Sequence, residues 1–418
     1  MIANKFSFFF FLLILNVASR VYPAEKRSGG GASSINYSFD MGYLWISGLS
    51  RIERADKAEF DPHALTQNSN TRGSRTLGLD HLKIALDARL LKESRVHVAF
   101  RPDASLPRRS DGTAGIATDS RAGNFYRKKA RIELLDHYRL GYNLGNNAEV
   151  SLGVFEQLAP AILAYNAILD FGLRVVLPEK YSGVELFWKQ DKHENTQSSF
   201  DYQFIVYQGR EDRSELMESR DKTHDFAQVS KDPFMGAAAR ISWHIDSNNQ
   251  MKIMVGYGSE AKGGNKVNEL FSELIWGSSW NTTGKRIKFF ADVKYNREDW
   301  RFSRIGLPSI EQMSLELSTS YKIEDAQEAF VGAHLGRSER HHSSLENKTL
   351  VYYGHQIDVG WNYKLGTGLY SQLMISEEHR EQINENGEVE DGFGSFDVFQ
   401  KRLRRLAFGI YYRLDHGL

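Results

Sequence analysis

From Ile35 to Leu414 the chain repeats one pattern: apolar and polar side chains alternate residue by residue over short runs separated by polar connections. The first run sets Ile35, Tyr37, Phe39, Met41, Tyr43 and Trp45 on one face against Asn36, Ser38 and Asp40. The last sets Leu406, Phe408, Ile410, Tyr412 and Leu414 against Arg405, Gly409 and Arg413. Between them, Ile132, Leu134, Tyr138, Leu140 and Tyr142 alternate with Arg131, Glu133, His137 and Arg139. A period of two is the strand period, because successive side chains of an extended backbone point to opposite faces.

Taking each run as a strand gives sixteen: 35–52, 76–90, 94–101, 129–142, 148–155, 180–189, 199–208, 234–245, 250–258, 269–280, 286–296, 311–323, 328–337, 350–364, 368–379 and 401–414. Their connections fall into two classes. Short turns rich in Gly, Asn and Asp follow the even-numbered runs, as at 143–147, 246–249 and 281–285. Longer charged stretches follow the odd-numbered runs, with 53–75, 102–128, 209–233 and 380–400 the longest and 260–268 a short exception. Long loops on one side, tight turns on the other and one apolar face per strand predict an all-β fold, a transmembrane antiparallel β-barrel whose apolar face meets lipid. Aromatics gather near run ends (Trp45, Tyr142, Trp188, Trp243, Trp280, Tyr321, Trp361), where interfacial girdles form.

Composition narrows this picture. The 418 residues carry 53 basic and 53 acidic side chains and no cysteine, which excludes disulfides and thiolate metal sites and gives no basic excess for nucleic acid. A mean hydropathy of −0.47 suits a barrel with only one lipid-facing side per strand. Residues 1–24, with Lys5 ahead of an apolar stretch from Phe6 to Val17, read as a secretory signal peptide, with cleavage after Ser19 or Ala24. Residues 25–34 read as a flexible lead-in and 35–418 as the barrel. Export places it in the outer membrane of a Gram-negative bacterium.

A barrel of this size leaves an aqueous lumen unless something fills it. The filler expected here is 156–179, which is far more apolar than the other long connections and is predicted to fold inward as a constriction loop carrying Pro160, Tyr165, Asp170 and Arg174. The alternative is a further strand over 165–177. The polar faces of the second to fourth runs are biased basic: Lys83, Arg89, Arg95, His97, Arg101, Arg131 and Arg139, relieved by Asp87 and Glu133. With Lys288, Asp292 and Lys294 these are the expected pore-lining residues, and a basic wall in a narrow pore favours anions. No catalytic or metal-binding constellation stands out. His341-His342 reads as a solvated loop pair, and Asp80-His81 point to opposite faces.

The stretch Leu152-Gly153-Val154-Phe155 with Pro160, then Tyr181 to Leu186, Tyr202 to Gly209 and Gly236 to Trp243, resembles the phosphate-selective porin O/P-type family. That resemblance implies a sixteen-stranded, commonly trimeric porin with an inward loop after the fifth strand and a basic pore. The expected function is passive diffusion of small hydrophilic solutes, anions among them, with no enzymatic activity and no cofactor. Outer-membrane lipids and lipopolysaccharide, the solutes themselves and two further copies of the chain are the expected partners. A barrel enzyme acting on lipid or lipopolysaccharide, or a closed adhesion barrel, are the alternatives.

Overall fold

The computed structural model describes residues 35–55, 70–89, 94–100, 135–145, 147–156, 162–165, 175, 177, 180–190, 198–211, 235–262, 265–282, 285–301, 309–342, 348–384 and 398–417. They form sixteen strands: β1 (Ile35–Ala55), β2 (Asn70–Arg89), β3 (Ser94–Phe100), β4 (Leu135–Gly145), β5 (Ala148–Glu156), β6 (Lys180–Lys189), β7 (Ser199–Glu211), β8 (Met235–His244), β9 (Asn249–Lys262), β10 (Asn265–Thr282), β11 (Lys285–Arg301), β12 (Ser309–Glu324), β13 (Gln327–His342), β14 (Lys348–Gly366), β15 (Leu369–Asn384) and β16 (Val398–Gly417). Each strand pairs antiparallel with its neighbours in sequence, and β1 pairs with β16 to close the barrel. Closure joins the first strand to the last, so neither is left as a free sheet edge.

Several strands outrun the alternation that announced them. β2 begins at Asn70, and β9 and β10 stay paired to Lys262 and Asn265, so their connection is reduced to 263–264. Backbone pairing is indifferent to side-chain polarity, and beyond the apolar belt the ladders continue through charged residues. β4 opens at Leu135, and the expected start at 129 falls outside the described residues, as do 1–24 and 25–34. In β2 the apolar phase slips from Leu77 and Leu79 to Leu82, Ile84 and Leu86. The register shifts there: Gly42 pairs with His81 and Tyr43 with Leu79, leaving Asp80 as the extra residue of a bulge.

The burial pattern is inverted relative to a protein surrounded by water. Leu140, Leu152, Val255, Leu335, Ile357 and Ile375 are all exposed on the outside, while Glu185, Lys252, Glu273, Asp292, Asp358 and Glu378 are buried inside. Exposed aliphatics on this scale are stable only where the outer solvent is hydrocarbon. At the short-turn end an aromatic chain crosses three strands: Trp188 stacks on Tyr202 at 5.1 Å, and Phe200 lies 6.2 Å from Tyr202 and 5.7 Å from Trp243. Such amphipathic rings mark the membrane interface.

The turn between β8 and β9 is locked by one carboxylate. Asp246 Oδ1 accepts the backbone N–H groups of Asn248 (2.6 Å) and Asn249 (2.8 Å), and Oδ2 accepts the Asn249 side-chain amide (2.8 Å). The Asn249 amide, then the backbone donors, hold this carboxyl below the usual Asp value. Because the folded-state pKa is depressed, the lock is intact above the unfolded value of about 3.9 and is lost as pH falls through the lower folded one. Carboxyl carbon NMR should find Asp246 titrating below a model aspartate, and Asn249→Ala should move its midpoint upward. An unshifted midpoint in the parent would refute the lock.

Candidate functional site

β5 pairs directly with β6, from Ala148 opposite Trp188 to Glu156 opposite Lys180, so no further strand stands between them in the wall. Its described residues, 162–165, 175 and 177, lie in no strand. They sit inside the barrel. Ala164 and Tyr165, with Leu163 beside them, pack with Leu44, Ile275, Phe290, Phe330, Met374 and Ala407 of β1, β10, β11, β13, β15 and β16. Val175 and Leu177 form a second cluster with Tyr181, Ile205, Tyr207, Ala238, Met254 and Phe271 on the β6–β10 side. Residues 162–165 thus meet the wall away from β5, and 175 and 177 the wall next to β6.

That wall is shaped to receive it. On most strands the inner face is polar, but at Ile275, Phe290, Phe330 and Met374 it turns apolar where the segment lands. Fully burying side chains of this size stabilises by about 1.5–3 kcal/mol each. Two glycines make the room: a Cβ at Gly277 would run into Ile162, and one at Gly332 into the Tyr165 hydroxyl. The Tyr165 ring stacks on Phe330 with centroids 4.2 Å apart, and its hydroxyl donates to Asp358 Oδ2 at 3.0 Å. Asp358 also meets His334 Nε2 (2.9 Å) and accepts the Gln356 amide (2.9 and 3.1 Å). Further along, the Val175 backbone N–H donates to Ser314 Oγ at 3.1 Å.

Beside the segment runs a belt of buried ions. Glu273 lies between Lys252 (3.1 Å) and Lys294 (3.5 Å), and Lys294 also reaches Asp292 (2.9 Å). Arg405 reaches Glu378 (3.2 Å) and donates to Gln356 (2.7 Å). On the other side the partly exposed Arg139 contacts Glu149 (2.6 Å) and the buried Glu185 (3.3 Å), and the Gln203 amide donates to Glu185. Buried charges persist only with such compensation, and removal of one partner leaves its neighbour stranded.

The expected pore residues divide by accessibility. On β2–β4 the side chains retain contact with water: Arg95 is 51% exposed, His97 27% and Arg139 24%. On β11, Asp292 and Lys294 occupy the inner face but are only 3% and 11% exposed, so they belong to the buried belt and not to an open surface. Lys83 lies half-buried on β2, and Lys288 meets Glu328 at 2.9 Å. Asp87 engages Arg95 (2.5 Å) and His97 (3.5 Å), so the basic group is compensated more than its sequence suggests. Arg89 is register partner of Arg95, while Arg101, Arg131, Glu133, Pro160, Asp170 and Arg174 lie outside the described residues. The participants not among the expected pore residues, Glu185, Lys252, Glu273, His334, Asp358 and Arg405, all stand in the polar phase of their strands. Phase was their signal, but which of them meet is set by register.

The chain matches no protein-family model and no curated protein sequence. Among solved structures it is similar to the outer membrane channel DcaP of Acinetobacter baumannii, with a TM-score of 0.51 and 13% identity over 93% of this chain and 100% of that one. It is also similar to OmpT, an outer membrane protein of Vibrio cholerae (TM-score 0.48, 10% identity, 94% and 100% covered). The anion-selective porin from Comamonas acidovorans gives a TM-score of 0.46 at 12% identity, with 92% and 100% covered. The likeness is one of fold: a closed sixteen-stranded antiparallel barrel of the outer-membrane type.

Because the chain has no cysteine, a single introduced thiol reports the seating of the segment without interference. In Ala164→Cys, at a site 1% exposed, maleimide should react slowly in the folded barrel. Adding Gly332→Val should displace Tyr165 and raise the labelling rate by about tenfold or more, equivalent to about 1.4 kcal/mol of lost seating energy. Equal rates in the two proteins would mean that the glycine does not hold the segment.

Proposed function

We propose that this protein is an outer-membrane porin through which small hydrophilic solutes diffuse passively along the β2–β5 side of the lumen. The observation that carries the reading is the asymmetry of the interior. The inserted segment packs on the walls from β6 round to β16 and β1, where charges are buried. The side chains of Arg95, His97, Arg139 and Glu149 on β3–β5 remain partly open to water. With the described residues of the segment packed on one side of a wide barrel and these side chains open to water on the other, the reading is a channel narrowed but not closed. The outer-membrane channel fold and the resemblance to phosphate-selective porins support the same reading and its setting in a Gram-negative outer membrane, with the mature chain released from its signal peptide and assembled as a trimer.

Selectivity in this reading is a weak preference for anions. Among the described side chains of the open side, Lys83, Arg95 and Arg139 outnumber Asp87 and Glu149 by one charge, and low-dielectric walls focus even a small excess.

Refolded protein in planar bilayers should show stepwise conductance, and a silent membrane would remove the proposal. Replacing 162–177 by a short glycine linker should raise the unit conductance severalfold. Lys83→Gln combined with Arg95→Gln should lower the anion-to-cation permeability ratio toward or below one, whereas an unchanged ratio would discard the role of the basic side. Arg139 is a poor choice for this test, since its removal strands the buried Glu185 carboxylate.

A further inference from the structure

The outer wall carries a charged row where its apolar belt ends. Following the register across β13 to β16 and on to β1, Val331, Val359, Ile375, Leu406 and Ser47 form one rung. Two residues toward the long-loop end the rung reads Ala333, Ile357, Glu377, Arg404 and Leu49. Two further along it reads Leu335, His355, His379, Arg402 and Arg51. Below these rungs the outward face is predominantly apolar, with Trp361, Leu373 and Phe408 exposed. Over two rung spacings the wall changes from hydrocarbon to cation and imidazole.

The change coincides with a groove of about 460 Å³ lined by His355, His379, Glu377 and Arg402 above and by Ile357, Val359 and Ile375 below. That volume lies within the range of about 300–1,000 Å³ usual for small-molecule sites. The two imidazole rings lie 5.4 Å apart at their centroids. Glu377, the carboxylate in the lining, is already held by Arg404, whose Nε and Nη2 donate to Oε1 at 3.1 and 3.0 Å. Arg402 makes no ion pair among the described residues. Its register partners are His379 on one side and Arg51 on the other.

We infer that this groove binds the phosphorylated headgroup of a lipopolysaccharide molecule in the outer leaflet. The lipid A phosphate lies against Arg402, His379 and His355, and an acyl chain runs down Ile357, Val359 and Ile375. The assignment rests on the outer-membrane reading above, which puts the long-loop end on the outer side. Charge complementarity selects the anion, since guanidinium and imidazole donors suit phosphate oxygens. Continuity of the groove floor with the lipid-facing belt selects an amphiphile over a soluble anion. Among the described residues that line the groove there is no hydroxyl or thiol nucleophile, which favours a binding site over the centre of a lipid hydrolase.

Native mass spectrometry of the refolded full chain in detergent tests this with three probes: bisphosphorylated lipid A, its dephosphorylated form and phosphatidylglycerol. The expected result is a lipid A adduct that needs the phosphates, exceeds the phosphatidylglycerol adduct, and weakens at least tenfold in Arg402→Gln combined with His379→Gln. Arg402→Lys, which keeps the charge, should retain most of the binding. Undiminished binding by the double variant, or phosphatidylglycerol binding as well as lipid A, would overturn the site. So would an oligomer that falls apart in the variant, which would make this face a contact between copies. If the double variant does not show heat-modifiable migration of a folded barrel, His379→Gln and Arg402→Lys singly carry the comparison. Unit conductance of the same variants separates the two claims: a barrel that binds lipid A but never conducts keeps this site and loses the porin reading.

Discussion

A polypeptide crossing hydrocarbon has no water to satisfy its amides, and the rest of this structure follows from that shortage. Sixteen strands in chain order satisfy one another pairwise, and the final debt, the free sides of the first and last strands, is cleared by a long antiparallel ladder from Asn36 opposite Gly417 to Ala55 opposite Val398. Once the sheet is closed, side-chain polarity has to be inverted. The face turned outward must be soluble in lipid, and the face turned inward must accommodate the charges that a folded chain of neutral balance still carries.

The interior accommodates them by two different means. On the β9–β16 side, lysines, arginines and carboxylates lie at adjacent register positions and neutralise one another close to an inserted apolar segment. On the β2–β5 side the charges remain hydrated. The segment creates this division, because its apolar surface has to be met by apolar surface, and only certain positions of the inner wall supply it. The glycines at 277 and 332 belong to the same solution, as absences of side chain placed where Ile162 and Tyr165 need to be.

Much of the architecture can be read in the chain because a strand's two faces are a strict matter of odd and even positions. Met313, Leu315, Leu317, Thr319 and Tyr321 announce β12, and the loop asymmetry announces the membrane. Strand ends were harder, since the ladders of β2 and β9 run on through charged residues where alternation has nothing left to mark. The landing sites of the inserted segment were visible in principle. At Leu274-Ile275-Trp276, Phe289-Phe290, Phe330-Val331 and Leu373-Met374-Ile375 both phases are apolar at once, which a wall with one wet face does not need. What they contact could not be read, because Tyr165 meets Asp358 across 193 positions of sequence and no local rule spans that distance. The burial of Asp292 and Lys294 escaped for the same reason: inward and accessible are different properties, and the second depends on what else enters the lumen.

The same separation imposes an order on biogenesis. The inserted segment precedes in the chain nearly everything it rests on: Phe290, Phe330, Asp358, Met374 and Ala407 all emerge later from synthesis and export. It cannot find its seat when its own hairpin forms, and its apolar residues must wait unprotected until the last strands have joined the wall. Calibrating the lumen is therefore a closing act of assembly. A barrel interrupted before its C-terminal strands would be both open at the seam and incompletely plugged, a combination that gives envelope quality control a clear mark to recognise.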